Sequence, residues 1–146
     1  MENSYRLTPT SELWTGETIE RSFPADRAAY VREHAWMAAL AMAAGMVVLW
    51  AIGNPHIWTG AVGGLAAIAV RGVYVASDEM QVRWDLTNMR LLGPQTREAR
   101  LGQIKDVRIL WNNVQVITHS GDKHLLKYQA DRDATKAAIL AAVARR

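Results

Sequence analysis

The sequence has no cysteine among its 146 residues. Disulfides, thiolate metal sites and cysteine nucleophiles are therefore excluded. A second lack is regional: from Ala35 to Ala76 the only charged residue is Arg71. Outside that block the chain is rich in Arg, Asp, Glu and Lys, a split that argues for two solvents rather than one core. The mean hydropathy of −0.07 conceals this asymmetry. A third lack is chemical. No glycine-rich phosphate loop precedes a helix, since Gly63-Gly64 lies inside the apolar block. There is no nucleophile elbow and no ordered Ser-His-Asp set. His119 and His124 flank a turn and could approach each other, but two ligands without a third make no zinc site. The carboxylate pairs Asp78-Glu79 and Asp131/Asp133 sit at element ends, where capping explains them. The expectation is a protein that is not an enzyme, with no metal and no cofactor of its own.

What is present is mostly apolar. Ala35 to Ile52 is a run of about eighteen residues, roughly 27 Å as a helix and near the lower limit for crossing a bilayer. Ile57 to Ala76 is a second, of about twenty residues, interrupted only by Arg71. Gly53-Asn54-Pro55-His56 between them stops one helix and restarts another, leaving room only for a tight antiparallel connection. A buried helical pair in a soluble domain is the competing reading. A chain this short could not cover two runs that are apolar all round. The first run also begins too far from Met1 for a cleavable signal peptide. Of the six tryptophans, Trp36, Trp50 and Trp58 stand at the edges of the block, where indoles favour the headgroup layer.

Arg21, Arg27 and Arg32 precede the first run, Arg71, Arg83 and Arg90 follow, and the connecting loop has no Lys or Arg. The positive-inside rule puts both termini in the cytoplasm, and the expected location is a bacterial inner (cytoplasmic or intracytoplasmic) membrane. Small residues crowd both runs. The Gly60-x-x-Gly63-Gly64 spacing permits close backbone approach, either of one helix on the other or of both on a larger membrane partner. Arg71, about one turn from its helix end, either snorkels to the headgroups or pairs with a partner subunit. His34 and His56, near Trp36 and Trp58, are interfacial histidines or, on a sharper reading, ligands to a porphyrin or chlorin magnesium.

Three segments are expected: a cytoplasmic arm over 1–33, a two-helix transmembrane hairpin over 34–77 and a cytoplasmic domain over 78–146. The arm reads as polar and irregular as far as Phe23, with Leu13 and Trp14 as isolated apolar residues that could anchor it to another surface. Ser22 and Pro24 look like a helix start running into the first span. From Met80 the pattern changes to short strands: 80–86, 89–92, 97–101, 104–111, 114–118 and 124–128. The alanine-rich stretch 131–146 then reads as a helix, opened by acidic residues and closed by Arg145-Arg146 in accord with its dipole. Ala134, Ala138, Ile139, Leu140 and Ala141 form its covering face.

The stretch Trp84-Asp85-Leu86-Thr87-Asn88-Met89-Arg90-Leu91 resembles the LTN-x-R-L signature of bacterial pleckstrin-homology-like membrane proteins. Leu101-Gly102-Gln103-Ile104-Lys105-Asp106-Val107, the Ser120-Gly121-Asp122 turn and the terminal helix match in order and spacing, so the resemblance covers about residues 78–145. Its compact third strand, around Arg97 to Arg100, departs from the pattern and leaves the strand count open. The resemblance implies an α+β membrane protein in which a transmembrane hairpin is followed by a bent antiparallel sheet capped by a C-terminal helix. It does not imply phosphoinositide binding, because fold does not fix function. In general plan, and in Arg27 to His34 before the first span, the chain is also similar to photosynthetic-complex assembly proteins of purple bacteria.

Arg83, Arg90, Arg97, Arg100, Lys105 and Arg108 are expected to face mostly outward as a basic surface. It would lie near anionic lipid or dock acidic partner loops, and it lacks the interleaved aromatics that single-stranded nucleic acid would want. The function expected is a non-catalytic accessory or assembly subunit of a larger membrane complex, foremost a reaction-centre or light-harvesting complex. A respiratory complex, or a free-standing membrane-tethered lipid- or peptide-binding module, is the alternative. Trp14, Gly60, Gly63, Gly64 and Arg71 are its candidate partner-binding residues. Its partners would be integral membrane subunits and anionic lipids, with contact to the pigments or lipids of the partner complex.

Overall fold

The computed structural model describes residues 7–146, so positions 1–6 of the expected arm lie outside it. The chain is α+β. Two long apolar helices, α1 (Arg27–Ala51) and α2 (Trp58–Glu79), occur with two antiparallel sheets and a C-terminal helix α3 (Arg132–Ala144). One sheet has the order β1 (Ile19–Pro24), β2 (Arg83–Thr87), β3 (Arg90–Leu92), β4 (Glu98–Arg100). The other has the order β5 (Ile104–Leu110), β6 (Asn113–Thr118), β7 (Lys123–Leu126).

The first strand corrects the expected segmentation. Residues 19–24 are not irregular: they pair with β2, with Phe23 opposite Trp84 and Pro24 opposite Arg83. The apolar helices are thus inserted between two neighbouring strands of one sheet, and do not merely precede it. The described residues up to Ala29 and those from Asp78 onward form one compact unit, and Tyr30 to Ser77 a second. The helix start is displaced too. Pro24 closes the strand, and Asp26 caps α1 by accepting the Ala29 backbone N–H at 2.8 Å, as a carboxylate at a helix N-terminus should.

The core of the sheet unit is built from Trp84 and Leu86 of β2, Leu91 of β3, Val107 of β5, Val114 and Val116 of β6, Leu126 of β7 and Ile139 of α3. Strand β6 alternates as a half-buried strand must, reading intermediate-buried along its whole length, whereas β2 is buried at four successive positions and β3 at all three. Asp131 caps α3 by accepting the Ala134 backbone N–H at 2.9 Å. The buried positions of α3 are Thr135, Ile139 and Ala142, whereas Leu140, expected on that face, is 41% exposed. Gly93 fits against the Trp84 indole: a Cβ placed there would lie 2.5 Å from Cη2 of the ring. Gly93→Ala should therefore cost about 1–3 kcal/mol through overpacking, read as a lower thermal midpoint with unchanged secondary structure.

In the second unit, α2 buries none of its residues. The large apolar side chains along both helices, Trp36, Leu40, Val47, Trp50, Leu65, Val70 and Val73 among them, are exposed. Both helices are long and apolar enough to cross a membrane. In chain order β1 leads into α1 and β2 follows α2.

Candidate functional site

The two helices meet through backbone. A Cβ on Gly45 would collide with the Gly60 carbonyl, one on Gly60 with the Gly45 carbonyl, and one on Gly64 would lie 2.5 Å from the Ala41 carbonyl carbon. Gly63 has nothing within 4 Å of its would-be Cβ. The small residues thus divide. Gly60 and Gly64 serve contact within the pair, and only Gly63 faces away from it.

Nearer the outer ends of the helices, Tyr30 stacks on the His34 ring at 4.0 Å between centroids, and its hydroxyl donates to the Gly72 carbonyl at 2.5 Å. His34 is buried, with Nδ1 3.0 Å from the Tyr30 carbonyl and Nε2 3.4 Å from Nη1 of Arg71. Arg71 therefore has a partner inside its own unit. His34 thus meets a neighbour within its own unit at each ring nitrogen. His56 is exposed in the connecting loop, its backbone N–H bonded to Asn54 Oδ1 at 2.8 Å. Among the described residues no group of three His, Cys, Asp or Glu side chains could hold a metal ion.

Of the basic residues expected to face outward, all but Arg90 do. Arg97 and Arg100 are exposed, and Arg108 is exposed beside Asp106 at 2.7 Å. This contact, followed by the Val107 N–H, holds the Asp106 carboxyl below its usual range. Arg83 is half-exposed and pairs with buried Asp85 at 3.1 Å. Arg90, however, is buried, its side chain only 3% exposed. Its Nε lies 3.0 Å from Glu17 Oε1, Nη2 donates to the Glu12 carbonyl at 2.6 Å, and Nη1 pairs with Glu98. The Trp14 ring covers the guanidinium at 4.0 Å and reaches Arg100 at 5.1 Å.

This arrangement has a physical cause. Arg90 and Arg100 are direct cross-strand partners, a like-charge pair that would be destabilising alone. Two carboxylates and one aromatic face resolve it. Burial by itself would raise the Glu17 carboxyl, but hydrogen bonds from Arg90, Thr87 and the Trp14 N–H outweigh it and hold the group below 4.5. The Glu17 bond, set against burial, in turn raises Arg90. Neither group exchanges a proton near neutrality, so the cluster is a clasp and not an acid–base site. It fastens residues 12–17 over the outer face of the sheet and covers Thr87, while Trp84 and Leu86 of the same strand face the core. Trp14, read as an anchor for the arm, is used by the chain's own arginines. Sequence reasoning missed Glu17, Thr87 and Asp85. The only available signal was the isolated Leu13-Trp14 pair beside an acidic residue.

A cleft of about 250 Å³ is lined by Val82, Trp84, Pro94, Arg97, Leu125 and Lys127 among others. The buried Trp84 Nε1 has no acceptor among the described residues. His124 meets the edge of the same indole at 5.8 Å, and burial, with some help from Arg97 and against Asp122, lowers its pKa from 6.5. No family model, curated protein or solved structure matches the chain.

Proposed function

We propose that the chain is a non-catalytic accessory or assembly subunit of a larger membrane complex, held in the bilayer by α1 and α2. The observation that carries this reading is the uncovered apolar surface of the helix pair. Gly45, Gly60, Gly64 and Ala41 are consumed in the contact between the helices, yet Val70, Val73 and Tyr74 stand 71%, 81% and 83% exposed on α2. Such surface needs hydrocarbon or protein around it, and Gly63 offers an open point of close approach on the side away from α1.

The arginines flanking the helices support cytoplasmic ends and a bacterial inner membrane. Strands β2 to β7 closed by α3 are consistent with the pleckstrin-homology-like pattern in the sequence. That resemblance favours a photosynthetic reaction-centre or light-harvesting complex over a respiratory one. Extraction in mild detergent followed by native mass measurement should retain a stoichiometric membrane partner, with pigment absorption in the purified assembly. Bound respiratory haems in place of pigment would move the protein to a respiratory complex. A solitary monomer that binds anionic vesicles would replace the subunit reading with a free-standing tethered module.

A further inference from the structure

The turn joining β5 to β6 carries an exposed apolar tip. Leu110 pairs with Asn113, which leaves Trp111 and Asn112 as a two-residue connection. Trp111 is 67% exposed and adopts φ of 60°. In a two-residue hairpin whose first central residue has positive φ, glycine is strongly favoured, and an aromatic side chain there is strained. Exposure means that the indole returns nothing to the core for that strain. Backbone strain of this kind concentrates where a side chain is needed for something else. The conformation is held from outside the turn, because Arg132, itself exposed, donates through Nη1 to the Trp111 carbonyl.

The tip also has a defined place within the sheet unit. Asn113 Oδ1 accepts the Tyr128 N–H at 3.0 Å, the Asn112 carbonyl accepts the Gln129 N–H at 2.9 Å, and the Tyr128 carbonyl accepts the Asp26 N–H at 2.7 Å. Asp26 is the capping residue at which the chain enters α1. Trp111 is thus two hydrogen bonds from the start of the first apolar helix. The turn at Ser120 lies at the opposite end of β6, about 17 Å away at 3.3 Å per residue.

We propose that the Leu110–Trp111 tip is a second membrane contact, seated in the headgroup layer of the bilayer that receives α1 and α2. The inference rests on the membrane reading above. An indole with a wet edge and an apolar body suits that layer, and the Arg132 guanidinium beside it suits lipid phosphate.

The absence of cysteine makes a clean test. Single variants Leu110→Cys, Trp111→Cys, Ser120→Cys and Leu65→Cys of the full chain, labelled with an environment-sensitive fluorophore, are reconstituted in phosphatidylcholine–phosphatidylglycerol vesicles. Labels at 110 and 111 should emit to the blue of the label at 120 and lose intensity with headgroup nitroxide lipids, while the label at 65 responds to nitroxides deep in the acyl chains. If the label at 111 emits as in water while the label at 65 is deep, the tip contact is overturned and the membrane anchor stands. If the label at 65 is also in water, both are overturned. Trp111→Gly should unfold at no lower temperature than the parent and should abolish headgroup quenching of a label at 110. Unchanged quenching in that background would also overturn the role of the indole.

Discussion

Replacing Glu17 by alanine should destabilise the sheet unit by about 3 kcal/mol, the lower end of the range for breaking a buried ion pair. The lower end applies because Arg90 would keep Glu98 and the Glu12 carbonyl. Losing Glu17 nevertheless leaves a buried guanidinium without its main carboxylate and Thr87 Oγ1 without the oxygen 2.6 Å away. Urea unfolding followed by near-ultraviolet dichroism of the tryptophans would measure the change. Arg90→Met in the same background should recover much of it, because the uncompensated charge is gone. The clasp also sets a pH dependence. The folded Glu17 carboxyl lies below its unfolded value of 4.5. Its contribution is therefore complete above about pH 4.5 and is lost as pH falls through the lower folded value. Glu17→Gln should remove this part of the acid sensitivity. An unchanged acid unfolding profile would show that the carboxylate is not held ionised by its neighbours.

The second large effect belongs to the helix pair. Gly60→Leu and Gly64→Leu place side chains where the backbones of Gly45 and Ala41 lie in contact. Helix backbones cannot yield locally, so the helices must move apart, at about 1–3 kcal/mol per site and more when both are changed. Gly63→Leu is the matched control, because its side chain enters open space. Thermal unfolding of α-helical dichroism in detergent should fall for the first two variants and hold for the third. Equal losses at all three sites would mean that helix propensity, not close approach, is what the glycines provide. In the proposed assembly the phenotypes reverse: Gly63→Leu should leave the hairpin stable and reduce retention of the partner.

The parts of this structure that could be read from the sequence are those with a strong local signal. Two long apolar runs, charged only at Arg71, and a Gly-Asn-Pro-His break specify α1, α2 and the connection between them. Alternation and turn residues place β2 to β7 within a few positions, and Asp131 marks the start of α3. What was not legible depends on pairing between distant residues. Ile19 to Pro24, IERSFP, does not alternate cleanly. It becomes a strand only because β2 offers an edge beside it, and the register breaks between Ile19 and Arg21. Arg90 is indistinguishable in pattern from Arg83, Arg97 and Arg100. Its burial is decided by Glu17 and Trp14, more than seventy positions earlier. Arg90 leaves the expected basic face for the same reason: alternation gives the side of the sheet but not what covers that side.

The insertion of α1 and α2 between β1 and β2 also sets an order of events during synthesis. Pro24 and Arg83 are opposite each other in the sheet, yet the ribosome makes one long before the other. When β1 emerges it has no neighbour, and Trp84 and Leu86, which fill the core beneath it, do not yet exist. An unpaired strand edge is open to wrong partners for as long as it waits. It is covered only when α2 is complete and its far end has come back to β1. Closure of the sheet therefore reports that both helices have been made and correctly turned. In the membrane setting proposed above, a chain whose hairpin inserted once instead of twice would carry β1 and β2 to opposite sides of the bilayer, never bury Trp84, and be recognisable to proteases as unfinished.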